Sequence, residues 1–390
     1  MVPMRGGRQG GRHGLWVALL LIAAVAQAQP QSQPRIVAVG DVHGDLDSFT
    51  GILQKTGLID ASRRWTGRNA ILVQTGDFLD RGPKSREEMD FLMALQKEAQ
   101  RSGGAVHVLL GNHEAMNIFG DLRYLIPADY AAFADPRSEE RRRRAFQEFS
   151  RQQASRGRAV NEAEWFAAHP PGFLEHREAF GPRGVYGRWL RSLPSVLIVG
   201  DSAFVHGGVS PALQALTPDQ INDGVKSEIR AFDSFKQYLI ERRLAFPFYT
   251  LLELIGVAKA ETEAGRAEGA PESAEQDSQH VRLAQAFLRL GEWRSLHPDG
   301  PLWFRGYARW TDEEGAPRLA ALTESWNVKR VIVGHTVQPN GEIVGRFDGK
   351  AFLIDTGMLK EHYAGGQASA LEISATGIRA IYMDRQIEFN

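Results

Sequence analysis

Three short apolar runs in the first third of the chain each end at a glycine, and patterns typical of helices separate them. The runs cover residues 35–40, 70–75 and 106–110. They are short, rich in β-branched residues and bounded by turn signals, so they are interpreted as β-strands. Strands that alternate with helices of this length form βαβ units. The sequence therefore predicts a partly parallel sheet in this part of the chain.

Further strand patterns follow at 195–199, 202–205, 331–333, 352–354, 371–373 and 378–382. This makes at least eight strands, which is too many for one small sheet, so we expect two sheets. Helical patterns fill two insertions between the strands, at about 122–193 and 218–294. Within the second insertion, the segment from Thr262 to Ser278 is rich in Glu, Ala, Gly and Ser. Its scarcity of large apolar groups predicts a mobile loop.

The first 28 residues have the pattern of a cleaved export signal. Arg5, Arg8 and Arg12 precede an uncharged apolar stretch at 15–25, and Ala-Gln-Ala at 26–28 offers a cleavage site. The apolar stretch is too short to cross a bilayer as a helix, although an uncleaved membrane anchor is an alternative. We expect a signal peptide at 1–28, no stable membrane insertion after cleavage, and a periplasmic or secreted bacterial product.

Charge and cysteine content narrow the possible functions. Removing residues 1–28 takes away three Arg and no acids, so the formal charge changes from −1 to −4. A mildly acidic protein gives no support to nucleic-acid binding, and none is predicted. The chain has no Cys, so neither a disulfide nor a thiolate ligand or nucleophile is available.

Five short motifs rich in glycine and in metal-ligating residues occur along the chain, four of them directly after strand patterns. They are Gly40-Asp41-Val42-His43-Gly44, Gly76-Asp77-Phe78-Leu79-Asp80-Arg81-Gly82, Gly111-Asn112-His113-Glu114, His206-Gly207-Gly208 and Gly334-His335-Thr336. In α/β sheets, sites form outside the carboxyl ends of strands, so these side chains are expected to converge. Their oxygen and nitrogen ligands suit a pair of divalent metals. The pattern indicates metal-assisted hydrolysis of a phosphate ester.

The order of these motifs resembles the phosphoprotein phosphatase family of dinuclear metallophosphatases, over most of residues 35–357. Two further strings are similar to the Shewanella-like protein phosphatase branch of that family. They are Asp299-Gly300-Pro301-Leu302-Trp303-Phe304-Arg305-Gly306-Tyr307 and Met116-Asn117 followed by Gly120-Asp121. The resemblance implies an α+β fold, a four-layer α/β/β/α sandwich with helical insertions, in one metallophosphatase domain at 35–390.

The resemblance also implies the residues that hold two divalent ions. The implied ligands are Asp41 and His43 for the first ion, Asp77 as the bridge, and Asn112, His206 and His335 for the second. Such a ligand set permits Mn²⁺, which is favoured, as well as Fe or Zn²⁺. In the implied mechanism, a hydroxide held by both metals attacks the phosphate of a phosphorylated protein or peptide. Asn112 is expected to contact that phosphate as well.

The resemblance assigns His113 as the general acid, oriented by Asp80, although a purely structural role for His113 is the alternative. Arg81 is expected to bind the phosphate, because a guanidinium matches a tetrahedral oxyanion. The family's usual second Arg, directly before the Gly-Asn-His-Glu motif, is replaced here by Leu110. Arg305 is our candidate to complete the phosphate site, against an ordinary surface or salt-bridged arginine.

Several alternatives stay open. Glu114 is expected to be a hydrogen-bond partner rather than a ligand, and Asp355 either shapes the site or belongs to a simple turn. Val337 stands where nucleotidases and phosphodiesterases usually have a second ligating His, which disfavours those classes. A diadenosine tetraphosphate hydrolase and a non-catalytic metal- or phosphoprotein-binding module are the competing functions. Specificity for phosphoserine, phosphothreonine or phosphotyrosine, and the oligomeric state, are not encoded in these motifs.

Overall fold

The structure, a computed structural model, describes residues 34–267 and 275–389. Side chains are described for these residues except in 264–280. The helices are α1 (Leu46–Lys55), α2 (Ser85–Arg101), α3 (Asn112–Phe119), α4 (Pro127–Ala131), α5 (Ser138–Ser155), α6 (Glu162–Ala168), α7 (Phe173–Ala179), α8 (Val185–Ser192), α9 (Pro218–Glu241), α10 (Leu251–Ala267), α11 (Glu275–Leu288), α12 (Gly306–Arg309) and α13 (Asp312–Ser325). The strands are β1 (Ile36–Val39), β2 (Ile71–Gln74), β3 (Ala105–Val108), β4 (Val196–Val199), β5 (Ser202–Val205), β6 (Arg330–Val333), β7 (Val344–Arg346), β8 (Ala351–Leu353), β9 (Ser369–Ser374), β10 (Gly377–Tyr382) and β11 (Gln386–Phe389).

The strands form two mixed sheets. The first has six strands in the order β11-β10-β9-β1-β2-β3, and the second has five in the order β4-β5-β6-β8-β7. Strands β1, β2 and β3 pair in parallel, as do β5, β6 and β8. The predictions of two sheets and of a partly parallel arrangement are therefore confirmed. Strands β7 and β11 were not predicted, because both are short edge strands with few buried residues.

The two sheets pack face to face, and helices cover their outer faces. In β1, Ile36 and Ala38 face the second sheet, whereas Val37 and Val39 pack against the helices. In β6, Ile332 faces the first sheet, and its neighbours Val331 and Val333 pack on the side of α12 and α13. This alternation follows from the two-residue period of a strand. The predicted four-layer α/β/β/α sandwich is confirmed.

Helices α4–α8 and α9–α11 occupy the two stretches between strands, and they share a core with the helical side of the first sheet. The predicted mobile loop at 262–278 is wrong where it can be compared, because α10 reaches Ala267 and α11 starts at Glu275. Buried Leu254 anchors α10, and buried Phe287 anchors α11. Residues 268–274 lie outside the described part of the chain. The domain boundaries stay a prediction.

The proposed export signal at 1–28 also lies outside the described residues, so the structure does not bear on it. Within 34–267 and 275–389, no helix is long and apolar enough to cross a membrane.

Candidate active site

The five motifs meet at one end of the two sheets. Asp41 and His43 lie in the turn after β1, Asp77 follows β2, and Asn112 begins α3 after β3. From the second sheet, His206 follows β5 and His335 follows β6. All six side chains are buried. Because these six residues follow the carboxyl ends of five strands that run in the same sense within each sheet, they come together without any long loop.

Several residues of these turns have a left-handed backbone although they are not glycine. Their φ angles are 53° for His43, 56° for Asp77, 69° for Asp80, 69° for Arg81 and 67° for His335. Such a backbone costs roughly 1–3 kcal/mol for each residue and persists only when surrounding contacts enforce it. Strain of this kind is concentrated at functional sites.

Four potential ligand atoms converge around Asn112. Its side-chain oxygen lies 2.9 Å from Nε2 of His206 and from Nδ1 of His335, and 3.2 Å from Oδ2 of Asp77. An oxygen that faces other acceptors is repelled by them, and the conflict is removed either by turning the amide, so that its NH₂ donates to them, or by a cation between these atoms. The residues therefore fit a bound metal ion, on the basis of their own geometry.

The hydrogen bonds of the three histidines direct a lone pair of each ring into the site. The donations run from Nδ1 of His43 to the oxygen of Leu79 (2.9 Å), from Nδ1 of His206 to that of Thr75 (3.0 Å), and from Nε2 of His335 to that of Trp303 (3.1 Å). Since a carbonyl oxygen only accepts, the bonded ring nitrogen must carry the proton and the other is free to ligate. Burial also lowers the pKa of His43 and of His335 well below the usual range, which favours neutral rings.

Asp77 is common to two clusters of potential ligands. One joins His43, Asp77 and His113, and the other joins Asp77, His206 and His335, with atoms within 4.8 Å of one another in each. Burial opposes the charge of Asp77, but its Oδ1 accepts a 2.9 Å hydrogen bond from the backbone N–H of His113, which stabilises the ionised form. An ionised carboxylate between two clusters has the position of a bridging ligand.

Asp41 is placed differently. It belongs to neither of the two clusters found among the described residues. Its Oδ1 accepts a hydrogen bond of 2.9 Å from the backbone N–H of His335. Burial, and then the charges of Asp355 and Asp77, raise the pKa of Asp41 well above the usual range. A nearby cation would reverse this effect, because it stabilises the ionised carboxylate.

His113 stands beside the metal ligands with its ring fixed on one side. Its Nδ1 is 2.7 Å from Oδ2 of Asp80, whose Oδ1 accepts a 2.8 Å hydrogen bond from Nδ2 of Asn117. Its Nε2 lies 3.9 Å from Oδ2 of Asp77, on the side of the metal ligands. The ring is therefore oriented by Asp80 and presents Nε2 to the site.

Glu114 ties the loop after β2 to the start of α3. Its carboxylate accepts hydrogen bonds from the backbone N–H groups of Asp77, Phe78, Leu79 and Gly111, at 2.8–3.2 Å. Burial, and then the charge of Asp77, raise the pKa of Glu114 to about 8, against the effect of the backbone donors. The expectation that Glu114 is a hydrogen-bond partner rather than a ligand agrees with these contacts.

The two arginines contact different ligand loops. Arg81 contacts Nε2 of His43 and the hydroxyl of Tyr363, and its guanidinium carbon lies 5.2 Å from the ring centroid of Tyr124. Arg305 donates from Nη1 to the backbone oxygen of His335 (2.8 Å) and to Oγ1 of Thr336 (3.2 Å). In the part of the chain that the structure describes, Arg305 has no ion pair within 4 Å. It is half-buried beside a ligand loop, whereas Leu110 is fully buried.

Comparison with known proteins identifies the family. The family model described as calcineurin-like phosphoesterase matches residues 34–339. The chain belongs to the calcineurin-like phosphoesterase family.

Within this family, the chain is similar to Shewanella-like protein phosphatases. It is 30% identical to Shewanella-like protein phosphatase 2 of Arabidopsis thaliana over 92% of this chain and 80% of the relative. It is 25% identical to Shewanella-like protein phosphatase 1 of Plasmodium berghei over 89% and 74%. The solved cold-active protein-tyrosine phosphatase of a psychrophilic Shewanella shares the fold, with a TM-score of 0.58 and 23% identity over 92% of this chain and 81% of that one. The protein is thus a metallophosphatase that uses divalent metals.

Two residues of this phosphoesterase site have contacts that the sequence did not reveal. Asp355 is buried two residues after the end of β8. It accepts a 3.0 Å hydrogen bond from the N–H of Gly357 and contacts the carboxyl of Asp41. Burial raises its pKa to about 6. Tyr363 lies in the following loop and contacts Arg81. The position of Asp355 at a strand end was a usable signal, whereas nothing local marked Tyr363.

Proposed function

We propose that this metallophosphatase is a protein phosphatase that hydrolyses phosphoserine, phosphothreonine or phosphotyrosine. The observation that carries the proposal is the convergence of acceptor atoms around Asn112 and Asp77, with the oriented ring of His113 beside them. The names of the Arabidopsis and Plasmodium relatives support a phosphorylated protein as the substrate.

In this proposal, Asp41, His43 and Asp77 hold one ion, and Asp77, Asn112, His206 and His335 hold the other. When bound, two divalent ions supply Lewis-acid activation of the attacking water and of the phosphate. The O/N ligand set suits Mn²⁺ as the first choice, with Fe or Zn²⁺ as alternatives. The protein contributes fixed ligand orientations through the hydrogen bonds from the histidine rings to backbone oxygens.

We assign His113 as the general acid that protonates the leaving serine, threonine or tyrosine oxygen. The supporting observation is that Nδ1 is held by Asp80, which leaves Nε2 as the proton-donating atom on the side of the metal ligands. Asn117 fixes the other oxygen of Asp80, so the pair keeps one orientation. Asp80 is therefore a positioning residue.

We assign Arg81 and Arg305 to the phosphate oxygens, with Asn112 as a further contact. Arg81 has a buried Nε without a hydrogen-bond partner among the described residues, and it lies between the rings of Tyr124 and Tyr363. Arg305 is close enough to the metal ligands for Asp41 to act on its pKa, which burial lowers. Two guanidinium groups, one beside His43 and one beside His335, are suited to a tetrahedral oxyanion.

The decisive experiment measures hydrolysis by protein stripped of metal and then reloaded with Mn²⁺, Fe²⁺ or Zn²⁺. Substrates are p-nitrophenyl phosphate, matched phosphoserine, phosphothreonine and phosphotyrosine peptides, and diadenosine tetraphosphate. We expect metal-dependent release of phosphate from the peptides, with two metal ions per chain by elemental analysis. Faster turnover of the dinucleotide than of every peptide would replace this proposal by the nucleotide hydrolase. A metal-loaded protein without any activity would indicate a binding module.

We also propose, from residues 1–28, that the protein is exported through the bacterial inner membrane. Immunoblots of cell fractions should find a shortened protein in the periplasm or medium. A full-length protein confined to the cytosol would contradict export.

A further inference from the structure

A cavity lies among the helices, and none of the proposed metal ligands lines it. It has a volume of about 550 Å³ and is bordered by α3, α7, α8 and α9. Part of its lining is apolar, including Phe232 and Phe248. A cavity of this size and mixed lining is typical of sites for small molecules.

The charged side chains of this cavity are mostly basic. They are Arg177, Arg183, Arg191 and Lys236, against Glu178 and Asp233. Asp233 is already engaged, because it accepts two hydrogen bonds of 2.8 Å from Arg191. Glu178 and Arg183 are exposed at the rim. Arg177, which is buried, and Lys236, which is half-buried, therefore remain as two basic groups without a hydrogen-bonded carboxylate in the cavity.

Neither of these two groups has a carboxylate within 4 Å among the described residues. Arg177 is buried, donates from Nη1 to the backbone oxygen of Asn117 at 2.9 Å, and has no partner for Nε within the described part of the chain. Lys236 donates to the backbone oxygen of Tyr249 at 3.2 Å. Glu253 acts on both cations from farther away, and its Oε2 accepts hydrogen bonds from the N–H and the hydroxyl of Thr250.

A buried Arg177 and a half-buried Lys236 with no carboxylate in direct contact are costly, because both are partly or wholly removed from water. Burial, and then the charge of Arg177, lower the pKa of Lys236 well below the usual range. Burial, and then the charge of Arg191, lower the pKa of Arg177 to about 10. An anion in the cavity would stabilise both charged forms.

We propose that this cavity binds a small organic anion, whose carboxylate or phosphate contacts Arg177 and Lys236 while its apolar body packs on Phe232 and Phe248. The same Arg177 holds the last turn of α3 through Asn117, whose side chain donates to Asp80. Through Arg177, the bound anion is therefore linked to the helix that carries His113.

The test is calorimetric titration of the metal-loaded protein with phenylacetate and with its neutral isostere phenylacetamide. Phenylacetate is expected to bind at least ten-fold more tightly than the amide. Lys236→Met should weaken phenylacetate binding at least ten-fold, and Lys236→Arg, which keeps the charge, should retain it. The matched control is Lys226→Met, on the same helix but outside the cavity, which should leave the affinity unchanged.

The variant Arg81→Ala distinguishes binding in the cavity from binding at the metal centre. It should retain the affinity for phenylacetate. Loss of binding in Arg81→Ala, with normal binding in Lys236→Met, would overturn the proposal. So would equal affinities for the acid and the amide in the unmodified protein. Both results are independent of whether the protein dephosphorylates peptides.

Discussion

Nδ1 of His113 lies 2.7 Å from Oδ2 of Asp80, and both side chains are buried. Because Asn117 occupies the other oxygen of Asp80, the carboxylate cannot turn away from the ring. The position of Nε2 beside the metal ligands is thus determined by contacts on the opposite edge of the ring.

Replacing His113 by Asn should lower kcat by about 10²–10⁴-fold, since a general acid contributes that much. The metal content should stay at the unmodified level, because the six proposed ligands are unchanged. Steady-state kinetics with elemental analysis measures both. His297→Asn, at a partly exposed histidine outside the five motifs, serves as the control. Equal loss of metal and activity would mean that His113 holds the site together instead.

Asp355→Asn should weaken metal binding by about 10–100-fold, the usual effect of removing a group that supports a ligand. The reason is that Asp355 contacts Asp41 and contributes a charge next to it. Titration of the metal-free protein with Mn²⁺ gives the affinity. Asp348→Asn, exposed before the same strand, is the control. An unchanged affinity would show that Asp355 belongs only to the turn.

Arg305→Ala should reduce kcat/KM for p-nitrophenyl phosphate by about 10–100-fold, as expected for a lost charge-assisted hydrogen bond. Arg305→Lys should recover part of the activity, and the exposed neighbour Arg309→Ala should have no effect. Because Arg305 also bonds the backbone of His335, metal content must be measured in parallel. If both kinetic constants stay at the unmodified values, Arg305 does not bind the phosphate.

Glu114→Gln should lower the free energy of unfolding of the metal-free protein by about 2–4 kcal/mol. The amide keeps one acceptor oxygen, so two of the four backbone N–H donors lose a partner in a buried site. Urea unfolding at about pH 9, where Glu114 with its pKa of about 8 is ionised, measures the change, with the exposed Glu87→Gln as the control. A stability within the error of the unmodified protein would show that these hydrogen bonds contribute little.

Asp129 gives a pH-dependent stability. Burial raises its pKa to about 6 from an ordinary 3.8, so the folded state holds a proton that the unfolded state releases. The contribution of Asp129 to the free energy of unfolding is fully present below pH 3.8 and is lost as the pH rises through 6. The free energy of unfolding of Asp129→Asn, relative to that of the unmodified protein, should therefore increase by about 2 kcal/mol as the pH rises from 4.5 to 7.5.

Urea unfolding of both metal-free proteins across this pH range tests the prediction. Asp348→Asn, at an exposed aspartate, should show no such trend. A constant difference between Asp129→Asn and the unmodified protein would mean that Asp129 titrates normally.

Local sequence determined the strands β1, β2 and β3, the helices between them and the polar residues at the strand ends. These features depend on periodicity and turn residues within about ten positions, which a single sequence displays directly. The four-layer order came from the family resemblance, and the packing of alternate side chains such as Ile36 and Val37 confirmed it.

Only the tertiary structure decided which distant residues complete the site. Arg81 and Tyr363 are 282 positions apart, and Asp41 reaches the N–H of His335 across 294. No local sequence pattern predicts such contacts, because they form only when the strand ends of the two sheets come together in the folded chain. The edge strand β11 and the basic cavity at Arg177 also depend on tertiary packing, because each forms only against elements that are distant in sequence. The sequence alone determines only which residues are available for that packing.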